Sequence, residues 1–180
     1  MPATTIASLA RRVARLLTEK QRKVAFAESC TGGLVSGALT AVPGISAWHC
    51  GGVVTYRNET KEALLKVPKS LLTNPGPVSE VVAQRMVQGL LEIIPEADIG
   101  VSITGHLGPH APPELDGLVF IGVAERMVAA RGKLSGKITV RVHRLVLPGD
   151  LNRLARQKLA VAAALEQLLQ QLGSPFLGGA

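Results

Sequence analysis

The sequence predicts an α/β fold, a mixed sheet of about five strands with helices on both faces, on three observations. Short apolar runs alternate with stretches of helical periodicity through the first hundred or so residues. Three further strand-like runs, residues 99–104, 117–124 and 138–147, are separated by about a dozen residues each, with no helical periodicity between them. Parallel neighbours need a crossover, so these three are expected to lie antiparallel. Finally, 47% of the 180 residues are apolar and only 3% aromatic. That is enough for one core of Val, Leu, Ile and Ala, and too little chain for two comfortable domains. The expectation is one domain over 1–180, with its core at about 4–172 and a flexible tail at 173–180.

Each element has its own reason. Residues 4–19 place Ile6, Leu9, Val13, Leu16 and Leu17 on one stripe, as an amphipathic helix does. The run 24–27 is the first strand. A second helix opens near Gly32 and has to stop before Pro43-Gly44. Residues 50–56 form the second strand, ending on Tyr56, and a third helix runs from about Asn58 to Val67, where Pro68 ends it. In PGPVSEVVAQRMVQGLLEII, Ser79 is the expected N-cap, and Val82, Met86, Leu90 and Ile93 share a face. A last helix covers about 150–172, and GSPFLGGA reads as a frayed tail.

The net charge of +7 and a pI near 9.9 point to an anionic partner. With one Trp, one Tyr and three Phe there is little stacking surface for single-stranded nucleic acid, and no recognised nucleic-acid motif is present. A phosphorylated small molecule satisfies the same charge at least as well. Cys30 and Cys50 form no CxxC pair and suggest no disulfide framework. MPATTIASLARR lacks the apolar core of a signal peptide, and no apolar run reaches membrane-spanning length. A cytoplasmic protein with no membrane partner is expected.

Three stretches carry chemistry. AESCTGG, residues 27–33, ends a strand and opens a helix, where backbone N–H groups and the dipole favour an anion. Ser29, Cys30 and Thr31 offer nucleophilic or hydrogen-bonding groups there, and Gly32 and Gly33 permit close approach of a ligand. Equally, Thr31 could cap the helix and the glycines merely turn the chain. In VVTYRNETKEALL, residues 53–65, a serine's base could be Lys61 if it were desolvated, with Tyr56 passing a proton. By residue type alone, Lys61 is a surface residue and Tyr56 a rim aromatic. In SITGHLGPHAPPELDG, residues 102–117, Thr104 and Gly105 leave the sheet where open α/β sheets bind ligands. His106, His110, Glu114 and Asp116 are a weak metal signal, because a segment so rich in Pro and Gly is not a helix. His49 and His143 read as structural strand residues.

Taken in order, AESCTGGLVSGALTAVPGISAW, GGVVTYRNETKEALLKVP, GPVSEVVAQRM, ITGxxGP and LPGD before a long helix resemble the CinA C-terminal domain family, over about residues 3–172. The resemblance implies a three-layer α/β/α sandwich and, as in the family's nicotinamide-nucleotide amidohydrolases, hydrolysis of the carboxamide of nicotinamide mononucleotide to nicotinate mononucleotide and ammonia. It implies Ser29 as nucleophile, Lys61 as general base and Tyr56 as their partner. Thr31, Gly32 and Gly33 are then expected to hold the oxyanion or the phosphate. Thr104 and Gly105 would line the nucleotide pocket, and Asn58 would orient Lys61 or touch substrate. Cys30 is the rival nucleophile, ranked second because no histidine is placed to pair with it.

Neither metal nor other cofactor is called for. A homodimer is expected, as is a stand-alone chain lacking the family's larger N-terminal domain. Two departures bear on the nucleotide's anionic end. The loop HAPPELD replaces a glycine-rich run with its lysine, and Leu151 stands where an arginine usually follows LPGD. Arg153 and Arg156 lie close by, but on a helix a shift of two residues turns a side chain well away. The alternatives are an amidohydrolase of altered specificity, or a family member without turnover that binds a nucleotide or a protein partner.

Overall fold

The computed structural model describes residues 5–128 and 134–173. Its elements run α1 (Ile6–Lys20), β1 (Val24–Glu28), α2 (Leu34–Thr40), β2 (His49–Val54), α3 (Asn58–Leu65), α4 (Lys69–Thr73), α5 (Glu80–Ile93), β3 (Ile99–Gly105), β4 (Leu118–Val128), β5 (Leu134–Val146) and α6 (Arg153–Gly173). They form one five-stranded sheet in the order β2-β1-β3-β4-β5. β1 pairs in parallel with β2 and β3, whereas β3, β4 and β5 are antiparallel neighbours, as the short connections require.

Alternation along β1 separates the two faces. Val24 and Phe26 point into a core with α1, α2 and α6, through Leu9, Val13, Leu39 and Leu165. Ala25 and Ala27 point the other way, into the core under α5 with Val82, Met86 and Leu90. Small residues on that second face let α5 lie close. A Cβ on Gly122 would come within 2.9 Å of the Ala83 carbonyl oxygen, so a larger residue there would push the helix off the sheet. All five residues of β1 are buried, as suits an interior strand flanked in parallel by β2 and β3, and it carries its C-terminal turn into the protein.

Several boundaries differ from the sequence reading, each for a local reason. β2 stops at Val54, so Tyr56 lies beyond the strand, in the turn into α3. α3 closes at Leu65 because Lys66 adopts a left-handed conformation (φ 56°), and Pro68 then starts the short α4 rather than simply ending α3. Ser79 does occupy the N-cap of α5, but its hydroxyl donates to the Gly76 carbonyl at 2.8 Å and accepts no N–H from the first turn. α6 begins at Arg153, later than 150, since the Asn152 side chain accepts the Ala155 N–H at 2.9 Å and sets the helix start. His49 bridges to the Ser36 hydroxyl at 2.7 Å and meets Phe26 edge-on, a structural role. Of the expected tail, Gly173 closes α6 and the remainder lies outside the described residues. Among the described residues no helix is long and apolar enough to cross a membrane.

Candidate active site

The parallel strands β1, β2 and β3 end on the same edge of the sheet, and the turn after β1 is the first wall of the site. Glu28, next in the alternation after Val24 and Phe26, points towards α2. Its buried carboxylate accepts the Thr31 hydroxyl at 2.6 Å and the N–H groups of Gly33 at 2.9 Å, Val35 at 3.1 Å and Ser36 at 2.8 Å. Gly33 makes this possible by standing at the helix N-cap with φ 99°.

This corrects the expected role of the Gly32 and Gly33 N–H groups and takes up the Thr31 hydroxyl. Thr31 is fully buried with its hydroxyl on Glu28, the Gly33 N–H is taken by the same carboxylate, and the Gly32 N–H donates to the Ser29 carbonyl at 3.0 Å. A carboxylate of the protein already occupies the positive end of α2, so a substrate phosphate has no place there. The sequence showed this acid, but its use depends on the strand parity that turns it inward.

Ser29 and Lys61 meet behind that turn. The Ser29 N–H is anchored on the Ile103 carbonyl of β3 at 3.0 Å, and the first turns of α3 bring Lys61 Nζ to 3.1 Å from Ser29 Oγ. Nζ also donates to the Thr55 carbonyl at 2.8 Å. Lys61 is only 2% exposed, and among the described residues no carboxylate lies within ion-pair distance of it. Burial therefore pushes its ammonium down to about 8, with Cys30 opposing slightly. A neutral amine can keep one N–H on Thr55 and turn its lone pair to the serine hydroxyl.

Cys30, one residue on, is just as buried but in the wrong way for a nucleophile. Burial pushes its thiol up to about 12, so hardly any thiolate exists near neutral pH.

A cleft of about 250 Å³ opens in front of the pair. Ser29, Lys61, Tyr56, Asn58, Thr104 and Gly105 all line it, so six of the nine expected residues share one wall. Tyr56 stands on the exposed rim and accepts a hydrogen bond from Arg153 Nη2 at 3.0 Å. Thr104 spends its hydroxyl on the Pro77 carbonyl at 2.9 Å. His106 and His110 lie on the same cleft, and among the described residues no group of three potential ligands could hold a metal.

A second cleft of about 670 Å³ adjoins the first across residues 107–111 and Arg153, and reaches Asp116 and Leu151. The late start of α6 overturns the expected loss of arginine here. Because residues 148–152 are not helical, Arg153 reaches into the seam between the clefts, where its other amino group donates to the Gly108 carbonyl. Arg156 serves the loop instead, pairing with both Asp116 oxygens at 2.7 and 2.8 Å and donating to the Pro148 and Gly149 carbonyls. The sequence reading missed Arg153, Glu28 and the Thr55 carbonyl. For Arg153 the available signal was Asn152, a strong N-cap residue.

The comparisons with known proteins agree with this architecture. The family model described as the CinA C-terminal domain matches residues 6–172. A CinA-like protein of Chlorobaculum tepidum is 41% identical over 150 residues, which cover 82% of this chain and 34% of that one. A CinA-like protein of Dictyoglomus thermophilum is 40% identical over 82% of this chain and 33% of its own. The chain thus spans about a third of the length of these curated relatives. Among solved structures, the competence/damage inducible protein CihA of Agrobacterium tumefaciens is 36% identical with a TM-score of 0.80, covering 94% of this chain and 96% of that one. A competence-damaged protein (CinA) superfamily protein of Klebsiella pneumoniae is 30% identical with a TM-score of 0.79, over 93% and 98%.

Proposed function

The chain belongs to the CinA C-terminal domain family, and from that premise we propose that it is an amidohydrolase which removes the carboxamide nitrogen of nicotinamide mononucleotide. The observation that carries the reading is the 3.1 Å contact between the Lys61 amine and the Ser29 hydroxyl, with the amine desolvated to about 8. A serine hydroxyl is a poor nucleophile until a base takes its proton, and a lysine poised near the working pH supplies that base.

Ser29 Oγ attacks the amide carbon while its proton passes to Lys61 Nζ, and the carbonyl π pair moves to oxygen. The carbon–nitrogen bond then breaks, the proton returns from Lys61 to the leaving nitrogen, and ammonia departs. Water attacks the resulting acyl-serine, again through Lys61, and releases the carboxylate. Tyr56 at the rim and Asn58 at the start of α3 hold the ring side of the substrate. The seam at Arg153 suits the nucleotide's phosphate, which α2 cannot take.

Ammonia release from nicotinamide mononucleotide by the purified chain tests this, beside Ser29→Ala and Lys61→Ala. Release that stops in both variants is the expected result. No release from the parent together with tight nucleotide binding would sink the hydrolytic reading in favour of a binding role.

A further inference from the structure

Two clefts meet at Arg153, and a mononucleotide fills only one of them. The first, of about 250 Å³, holds Ser29 and Lys61 and lies just below the roughly 300–1,000 Å³ usual for small-molecule sites. The second, of about 670 Å³, falls within that range and shares the ridge 107–111 with the first. A phosphate set against Arg153 therefore has an open cleft on its far side, where a site closed around a terminal phosphate would have a wall.

The lining of the second cleft says what that space suits. Arg153 donates to the neutral oxygens of Gly108 and Tyr56, and among the described residues no carboxylate lies within ion-pair distance of it. Arg156 adds no second free charge, because it is 3% exposed and Asp116 cancels it through two hydrogen bonds. A terminal phosphate monoester would bring up to about two charges to one arginine. A pyrophosphate bridge spreads its charge over two phosphorus atoms, and the second of them reaches past Arg153 towards Asn152. The Asn152 Oδ1 is taken by the Ala155 N–H at 2.9 Å, which leaves its NH₂ group to donate. The remaining surface includes Pro109, Ala111, Pro113 and Leu151, apolar walls of the kind a base packs against. The two departures from the family's pattern, HAPPELD and Leu151, thus meet in one cleft, where they put apolar surface in place of cations.

We propose that the second cleft is a subsite for a nucleoside carried beyond the phosphate, so that the site takes pyrophosphate-linked dinucleotides of nicotinamide as well as the mononucleotide. The proposal rests on the amidohydrolase reading. The nicotinamide ring and its ribose stay in the first cleft, the pyrophosphate crosses at Arg153, and the second base lies against Leu151 and the prolines of the loop. The chemistry is unchanged. Ser29 Oγ bonds to the amide carbon, the carbon–nitrogen bond breaks with release of ammonia, and water frees the carboxylate. The pyrophosphate bridge takes no part, so the product is the matching nicotinate dinucleotide.

The test gives the purified full chain nicotinamide mononucleotide and nicotinamide adenine dinucleotide in parallel, with ammonia release measured and the products weighed by mass spectrometry. The dinucleotide should turn over with its pyrophosphate intact, at a kcat/KM within about tenfold of the mononucleotide's. A lower ratio, or release from the mononucleotide alone, overturns the subsite and leaves the amidohydrolase reading standing. Release from neither overturns both. Leu151 lines the second cleft and not the first, so Leu151→Trp should raise KM for the dinucleotide about tenfold and leave that for the mononucleotide within about twofold. An equal rise for both substrates overturns the subsite. A fluorophosphonate reads the nucleophile separately: the Ser29 Oγ–phosphorus bond forms, fluoride leaves, and the hydroxyl proton passes to Lys61. Its rate should be the same in Leu151→Trp as in the parent, and the parent's two kcat/KM values decide the proposal whether or not the variant folds.

Discussion

Two turns frame the cleft, 28–36 after β1 and 105–117 after β3, and they are held by different means. The first is tied mainly by bonds between residues three to eight positions apart on the Glu28 carboxylate, with two long-range anchors at Ser29–Ile103 and Gln157–Cys30. The second is tied from across the chain: Arg153 reaches Gly108 and Arg156 reaches Asp116, at separations of 45 and 40 residues. One is held chiefly by its own buried Glu28 carboxylate and carries Ser29, with Lys61 brought to it from α3. The other is an exposed loop whose shape α6 decides. On the proposed function, substitutions at Arg153 and Arg156 of α6 should change what binds more than what reacts, although α6 also reaches the first turn through Gln157, which donates to the Cys30 carbonyl at 3.1 Å.

The largest break in that comparison is on the reacting side. Ser29→Ala and Lys61→Ala should each cut ammonia release by about 10⁴-fold or more, with the circular dichroism of the parent. If either variant turned over at a tenth of the parent rate or better, the Ser29–Lys61 pair would not be the engine.

Next comes stability. Glu28→Ala leaves three amides and the Thr31 hydroxyl without their buried acceptor, so unfolding free energy should fall by about 3 kcal/mol. Urea denaturation reads this directly. A loss of a few tenths would mean that water replaces the carboxylate at little cost.

The third is a pH profile. Lys61 is held at about 8 against an ordinary 10.5, so kcat/KM should climb about tenfold per pH unit below 8 and level off above it. The sign for stability follows from linkage. The unfolded chain binds the extra proton between pH 8 and 10.5, so this group makes stability rise with pH across that window. Lys61→Met should flatten both the rise and the profile; a rise in stability that persisted in the variant would assign it to another group.

The smallest effects belong to the recognition side. Arg153→Ala should raise KM for the mononucleotide about tenfold with kcat little changed, and Arg156→Ala should raise it by less, through a loosened loop. Neither should slow fluorophosphonate labelling of Ser29. A matching loss of labelling in Arg153→Ala would show that the two turns are coupled after all.

Much of the frame was legible in the residues. Apolar periodicity marked five of the six helices and every strand, and the short links at 105–117 and beyond called for antiparallel neighbours. The pairing of Ser29 with Lys61 came from resemblance. By residue type Lys61 belonged on the surface, since nothing in its immediate neighbours says that α3 will press it 2% exposed against Thr55 and Ser29. Arg153 was placed wrongly because the start of α6 was set three residues too early, and on a helix such a shift changes which way a side chain points.

What the sequence by itself determined about this protein is the order and type of its elements, and the residues offered at the ends of its strands. Periodicity, turn residues and caps act between neighbours, so they survive reading one residue at a time. Only the tertiary structure decided which of those groups lose their water and which lose their freedom to bind. The lowered Lys61 ammonium, the silenced Cys30 thiol and the filled N-terminus of α2 each depend on side chains packed from other parts of the fold. Desolvation is a property of everything that surrounds a group, and no short stretch of chain contains it.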